Sequence, residues 1–341
     1  MRFLLCHPGA SWATQDVHTG LLAGLRAGGH DVWEYALSGH LRASRVTLEW
    51  LWRQQVRQAG PLKDVRPTPA DVQYHAATAI LERALRHDVD WVLVVCAAYV
   101  HPDILLLCRR AGLLLAVVFT ESPYDDPEQA KVAPLFHVCF TNERTSVARL
   151  RAANPQTHYL PMGYDPAVHG PGKHGEAPTH DVVFVGTAFA SRVALLSGVD
   201  WTGIDLGLYG HWGHLDAGHP LAPYVHDGVV DNARTGALYR AAKVGLNLYR
   251  DPGAAPAESL NPRAYELAAD GVFTLSHHRA EVAEKFLSAV PTFAGPDDLE
   301  DTIRLYLRQG AFRREMAADL PRRVTEDTYH HRAATLVAHL Q

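Results

Sequence analysis

Short apolar runs separated by amphipathic stretches recur along most of the chain, and this alternation predicts its elements. Arg2 to Cys6 reads as a strand, a loop follows from His7 to Gln15, and Asp16 to Ala27 has helical apolar spacing that Gly28-Gly29 ends. Asp31 to Tyr35 is a second strand. Helical patterns cover Val46 to Gln58 and Pro69 to His87, the latter with Thr68 as N-cap and Pro69 at the first helical position. Trp91 to Cys96, Leu114 to Phe119, His137 to Phe140 and Thr157 to Leu160 read as further strands, with helices at Pro102 to Arg110 and Glu143 to Ala152. Apolar strands alternating with helices predict a parallel sheet covered on both faces.

From Pro161 to Thr179 the pattern breaks into four prolines and four glycines without apolar periodicity, which reads as a linker. A second series opens at Asp181 to Val185. It continues through a helix at Ala188 to Leu196, a strand at Ile204 to Tyr209 and a helix at Asn232 to Ala242. Strand-like Val244 to Leu248 and Val272 to Leu275 come next, then helices near Arg279 to Leu287, Pro296 to Arg308 and Phe312 to Asp319. The expected fold is α/β. Residues 1–165 form one Rossmann-like domain, 166–180 a linker, 181–325 a second Rossmann-like domain, and 326–341 a last helix that could cross back to the first. Two such domains facing each other across a cleft is the simplest architecture.

The most informative stretch is Glu258-Ser259-Leu260-Asn261-Pro262-Arg263-Ala264-Tyr265-Glu266, two carboxylates with seven residues between them. Asn261 before Pro262 predicts an N-cap and first helical position, and Gly271 predicts a left-handed cap at the other end. Flanked by the two strand-like runs, this helix would present its positive end at the carboxyl edge of a parallel sheet, where an anion is favoured. Glu266, projecting from the second turn, could accept hydrogen bonds from a sugar diol, while Glu258 and Ser259 lie on the loop ahead. A solvated helix carrying two surface glutamates satisfies the same spacing.

Length and composition narrow the class. At 341 residues the chain suggests two domains, and 47% apolar with 20% charged residues describes an ordinary globular protein. No apolar run is long enough to span a bilayer and the start lacks a signal-peptide pattern, so a cytoplasmic location is expected. Cys6, Cys96, Cys108 and Cys139 form no CxxC pair and read as buried thiols. No GxGxxG follows a strand and opens a helix, and Walker A, HExxH and GxSxG are absent, which argues against a dinucleotide enzyme, a phosphate-loop ATPase and two hydrolase classes. His211, His214, His219 and His226 cluster in a loop-rich stretch; a metal site there is a minority reading beside solvated histidines.

Ser259, Asn261, Arg263, Tyr265-Glu266 and Gly271 resemble the Ser-x-Asn-x-Arg-x-aromatic-Glu pattern of glycosyltransferases similar to the spore maturation protein CgeB. Val182 to Gly186 with Arg192 resembles the opening of their second domain. Phe140-Thr141-Asn142 and Leu160 to Asp165 resemble their segment before the linker. The spaced glutamates also match the motif of retaining family 4 glycosyltransferases, although the lysine that many of those carry soon after the arginine is missing after Arg192. The resemblance implies the GT-B fold and a metal-independent transfer from a nucleotide diphosphate sugar, UDP being the commonest nucleotide, with no resident cofactor. It assigns Glu266 to the donor ribose and Glu258 to the transferred sugar. Gly186, Arg192, Gly210, Ser259, Leu260, Asn261 and Arg263 fall around the donor. A GT-B nucleotide-sugar epimerase or hydrolase, or a non-catalytic nucleotide-sugar-binding protein, remains the alternative.

Departure of the diphosphate builds negative charge, so fixed amides near Asn261 and on the Gly186 turn, with Arg192 and Arg263, are the expected stabilisers. Arg263 could equally pair with Glu258 or Glu266 on the helix surface. On the acceptor side, His101 follows a predicted strand and resembles the family 4 histidine near the donor sugar, and Glu121 follows the next strand. His101, Glu121, Asp125 or Asp16 would act as general base if the reaction inverts configuration. The acceptor is open: small molecule, glycan, protein or modified DNA base.

The net charge of −5 arises after residue 165, since residues 1–165 carry sixteen basic and sixteen acidic side chains. Within that balance, Arg42, Arg45, Arg53, Arg57, Lys63 and Arg66 face only Glu49 and Asp64, with Trp50 and Trp52 among them. This patch could receive a polyanion, DNA with a modified base included, as a minority reading beside a basic amphipathic helix with buried tryptophans.

Overall fold

The computed structural model describes residues 1–9, 14–173, 175–226, 230, 232–250 and 257–341. It has the expected α/β architecture, with two sheets parallel in every pairing. In chain order the first part comprises β1 (Arg2–His7), α1 (Gln15–Ala27), β2 (Asp31–Ala36), α2 (Leu37–Arg57), α3 (Pro69–Ala77), α4 (Ala79–Arg86), β3 (Trp91–Val95) and α5 (Pro102–Arg110). There follow β4 (Leu114–Phe119), α6 (Asp126–Val132), β5 (Val138–Thr141), α7 (Val147–Ala153) and β6 (Thr157–Tyr159). The second part runs β7 (Val182–Val185), α8 (Ala190–Ser197), β8 (Leu206–Tyr209), α9 (Asn232–Ala241), β9 (Val244–Asn247), α10 (Pro262–Ala269), β10 (Thr274–His277) and α11 (Ala280–Phe286). It ends with β11 (Thr292–Phe293), α12 (Pro296–Arg308), α13 (Gly310–Ala318), α14 (Leu320–Arg323) and α15 (Tyr329–Ala338).

The chain divides into two compact units. Met1–Pro161 with Arg332–Gln341 form the first, whose sheet has the order β2-β1-β3-β4-β5-β6; Met162–His331 form the second, with the order β11-β10-β9-β7-β8. β3 and β7 are buried along their whole lengths, as strands covered on both faces must be. All four cysteines are buried thiols. The proline- and glycine-rich stretch read as a linker packs into the second unit. Tyr164 bridges to Thr328, and Gly170 N donates to Asp270 Oδ1 at 3.0 Å while His169 Nδ1 lies 2.7 Å from Asp270 Oδ2.

Local rules failed at identifiable places. The single helix expected from Pro69 to His87 is two helices meeting at Thr78, whose hydroxyl donates to the His75 carbonyl at 2.8 Å, a local bond that competes with helix continuation. α2 begins at Leu37 rather than Val46, because one buried leucine anchors a first half too polar to show periodicity. The strand expected at Val272 to Leu275 is shifted to Thr274–His277 by its register with β9, Thr274 against Gly245. β11 and α14 carry too few residues for any period to be read.

The core beneath β7 and β9 gathers Val183, Val185, Tyr209, Leu238, Tyr239, Leu267 and Val272. Leu267 of α10 is fully buried and lies over Gly245, where an added Cβ would stand 2.5 Å from its Cδ2. Leu267→Ala should therefore cost about 2–5 kcal/mol through lost burial and the cavity left behind. Urea unfolding followed by circular dichroism checks this, and a midpoint equal to the wild type would show that α10 does not depend on this contact.

Candidate functional site

In the second sheet β8 lies on one side of β7 and β9 on the other, so successive connections leave in opposite directions at the carboxyl ends of β7 and β9. Open parallel sheets collect ligands at such a switch point. The β7–β8 ladder runs to Val185 against Tyr209, but the β7–β9 ladder stops at Val183 against Gly245. Carbonyls beyond that last pair need other donors. Arg192 supplies them: Nη2 donates to Leu248 O at 2.7 Å, Nε to Tyr249 O at 3.3 Å and Nη1 to Thr187 O at 3.0 Å. Its side chain is buried as a result.

Further cations converge on the same segment. Arg263 Nη1 donates to Leu248 O at 3.3 Å, so among the described residues Arg263 is directed at the strand end rather than at the glutamates of its own helix. Arg192 and Arg263 lie 5.2 and 4.7 Å from the Phe184 ring centre, and Arg192 and Arg250 lie 5.0 and 4.9 Å from that of Phe189. Arg279, ahead of α11 and 4% exposed, stands 4.4 Å over Tyr249. The Nε atoms of Arg263 and Arg279 are buried and have no hydrogen-bond partner among the described residues. An orphaned buried guanidinium N–H is costly and calls for an acceptor.

Two glycines shape the floor. A Cβ on Gly186 would lie 2.7 Å from Arg263 Nη2, and one on Gly210 would lie 2.4 Å from Gly186 O, with Gly210 also in the left-handed region at φ +110°. Gly186 N donates to Tyr209 O at 2.8 Å. The glycine turn therefore gives room for a close approach but does not offer the free amide expected of it.

α10 starts as its sequence predicts: Asn261 Oδ1 accepts from Ala264 N at 3.1 Å with Pro262 at the first position, and Gly271 takes φ +66° beyond the far end. Glu266 is only 8% exposed, which rules out the surface reading for this carboxylate. Among the described residues, the buried Tyr239 hydroxyl donates to its Oε2 at a long 3.4 Å. Burial and then the Glu266 charge push that hydroxyl's pKa far up. Ahead of the helix, Ser259 and Leu260 are buried and Glu258 is half-buried. Leu260 N donates to Glu281 Oε2 at 2.8 Å and Glu281 N to Glu258 O at 3.0 Å. The Leu260 amide, expected to face an anion, is thus taken by a carboxylate in the first turn of α11.

Sequence reasoning passed over Arg250, His277, Arg279, Tyr239 and Glu281. Arg250 and His277 stand at or just beyond strand carboxyl ends, the one signal that could have marked them. His277 Nδ1 accepts from Tyr249 N at 3.1 Å, and burial, reinforced by Arg192 and Arg279, holds its pKa down at about 4.

The first unit holds the other candidates. His101 caps α5, its Nδ1 accepting from Asp103 N at 3.2 Å, so that nitrogen serves the helix. Glu121 and Asp125 line a 330 Å³ cavity with Cys96 and Gln129 beyond the carboxyl ends of β3 and β4. Asp126 pairs instead with Arg149 at 3.2 Å. Asp16 sits in the first turn of α1. His7, at the end of β1, is 4% exposed and stacks on His18 at 3.9 Å; burial and then His18 lower its pKa to about 4. Of the loop histidines, His226 stacks on Tyr209 and His219 Nδ1 accepts from Leu221 N at 3.2 Å. Among the described residues no group of three or more His, Cys, Asp or Glu is placed to hold a metal.

His7 and His277 are neutral when folded, with pKa values near 4, but take up protons below their ordinary value of 6.5 once unfolded. The unfolded state therefore binds more protons between those limits, and stability present above pH 6.5 is lost as the pH falls toward 4. Urea unfolding across that range should show this slope, and His277→Asn, which retains an acceptor for Tyr249 N, should flatten it. An unchanged slope in that variant would rule out the neutral, buried state assigned to His277.

Residues 192–338 match a family model described as glycosyl transferase-like. No curated protein sequence matches the chain at a significant level. Solved structures resemble it over nearly their whole length. Sucrose-phosphate synthase from Thermosynechococcus elongatus has a TM-score of 0.68 at 13% identity, with 99% of this chain and 98% of that chain covered. An E. coli structure described as trehalose-6-phosphate bound with UDP-2-fluoro glucose has a TM-score of 0.64 at 11% identity, covering 100% and 99%. UDP-GlcNAc 2-epimerase from Neisseria meningitidis bound to UDP-GlcNAc has a TM-score of 0.59 at 12% identity, covering 100% and 99%. Residues 192–338 are thus similar to a glycosyl transferase-like domain, carried in a chain with the two-sheet GT-B fold.

Proposed function

We propose that this protein is a glycosyltransferase that moves a sugar from a nucleoside diphosphate sugar to a separate acceptor. The observation that carries this reading is the pair of buried guanidinium Nε atoms of Arg263, at Leu248 O, and Arg279, over Tyr249, which have no hydrogen-bond partner among the described residues, with the buried carboxylate of Glu266 on the same helix as Arg263. Cleavage of the anomeric C–O bond leaves its electron pair on the departing diphosphate oxygen, and cations fixed before that moment stabilise the charge without reorganising. Most backbone amides once expected to help are already bonded, so this task falls to Arg263 and Arg279, with Arg192 holding the strand end that positions them. Glu266 has acceptor capacity for the vicinal hydroxyls of a ribose, and Glu258 on the adjoining loop for the transferred sugar. UDP is the nucleotide favoured here, since two of the similar structures are bound to UDP sugars. The reading calls for no resident metal or cofactor, and His101 or Glu121 would serve the acceptor.

The similarity to an epimerase favours one rival: conversion of the donor with no acceptor present. Incubating the protein with UDP sugars, with and without an acceptor panel, separates the two, because a transferase makes a new glycoside whereas an epimerase yields an isomerised or hydrolysed donor alone. Added chelator should leave transfer unchanged.

A thermal-shift titration with UDP sugars should raise the melting temperature, since a ligand bound to the folded state stabilises it. Glu266→Ala and Arg279→Gln should each weaken binding by roughly 10- to 100-fold, the range for losing hydrogen bonds to charged groups. A shift equal to the wild type in Glu266→Ala would remove its ribose role, and full retention in Arg279→Gln would remove the diphosphate site.

A further inference from the structure

We propose that the outer face of α2 docks the protein on an anionic lipid bilayer. α2 buries only Leu37 and Ser44 of its 21 residues. Arg42, Val46, Trp50, Arg53 and Arg57 recur at intervals of three or four residues, which puts them on one stripe, and all five are exposed. Val46 is 66% and Trp50 58% exposed, and Leu51, Val56, Leu62 and Val65 on and just after the helix are each exposed by 46% or more. Trp52, in contrast, is tied down, its Nε1 donating to Lys63 O at 2.9 Å and Arg66 standing over its ring. The tryptophans expected to be buried therefore part company, and one of them points outward beside cations.

The chemistry selects the occupant. Six large apolar side chains in water are an unusual load for one surface helix and its loop. The carboxylates nearby are Glu49, already shared by Arg53 and Arg66 at 3.3 and 3.5 Å, and Asp64, so the face is locally basic in a chain of net charge −5. A second copy of the chain would set these arginines against themselves. Nucleic acid would engage the cations and the indole but leave the aliphatic groups without a partner. An anionic bilayer suits all three kinds of group: phosphates for arginine, the interfacial layer for tryptophan, and the acyl boundary for valine and leucine. A 900 Å³ groove between α2 and α3 opens on the same side, lined by Leu41, Val46 and Val72 with Arg42, Arg45 and Arg66, a lining suited to an amphiphile. Gln73 lines both this groove and the cavity that holds Glu121. Among the described residues no helix is long and apolar enough to cross a membrane, so contact through α2 would be peripheral.

Sedimentation of the full chain with vesicles tests this independently of any sugar chemistry. Phosphatidylglycerol-rich vesicles should carry the protein down at low salt and phosphatidylcholine vesicles should not. Arg53→Glu with Arg57→Glu should weaken partitioning at least about tenfold, and Val46→Ser with Trp50→Ser should weaken it at unchanged charge. Circular dichroism should show both variants folded, since the replaced side chains are exposed. No sedimentation, equal binding to neutral vesicles, full retention in the folded variants, or binding of duplex DNA in place of vesicles would each overturn the proposal.

Discussion

The second unit depends on how the end of β9 is satisfied. Two residue pairs into its ladder with β7 the strand loses that neighbour, and Arg192 takes the carbonyls of Leu248 and Tyr249, sharing the former with Arg263. Burying a full charge to bond neutral carbonyls is expensive, and the flanking Phe184 and Phe189 rings recover part of the cost through their negative faces. Once Arg192 occupies that position, Arg263 and Arg279 line the same edge, and their guanidinium groups are held in place there.

The site is thus assembled mainly from side chains. In many α/β proteins the helix amides and the glycine turn do most of the work of holding phosphate. Here the Ala264 amide is capped by Asn261, the Leu260 amide is held by Glu281, and the Gly186 amide closes onto Tyr209. Side-chain cations are longer and more adjustable than amides, and Gly186 and Gly210 contribute by keeping Cβ atoms out of their way. Glu266 reaches the same site because α10 packs Leu267 onto Gly245, which fixes the helix rotation and turns the preceding residue away from bulk solvent. The packing of one leucine and the exposure of one carboxylate are therefore linked.

The two units carry different chemical burdens. The second concentrates buried cations on a short strand edge. The first combines an acidic cavity at β3 and β4, a stacked and neutral histidine pair at β1, and a basic, apolar surface along α2. None of these features is needed to stabilise a parallel sheet, whose cores are close-packed clusters of aliphatic and aromatic side chains.

By itself the sequence determined whatever is enforced within a few residues. Strand and helix alternation, the Asn261-Pro262 start of α10, its glycine stop and the parallel α/β class all follow from period, capping and backbone preference, which act locally. Composition likewise settled that the cysteines are thiols without a disulfide partner. Tertiary structure decided the rest. It chose which helical face of Glu266 is buried, gave the Leu260 amide to a glutamate twenty-one residues away, broke a continuous helical pattern at Thr78, and brought Arg279 beside Tyr249. Each of these depends on contacts between elements distant in the chain, whose free energy is set by packing and desolvation and leaves no period in the local sequence.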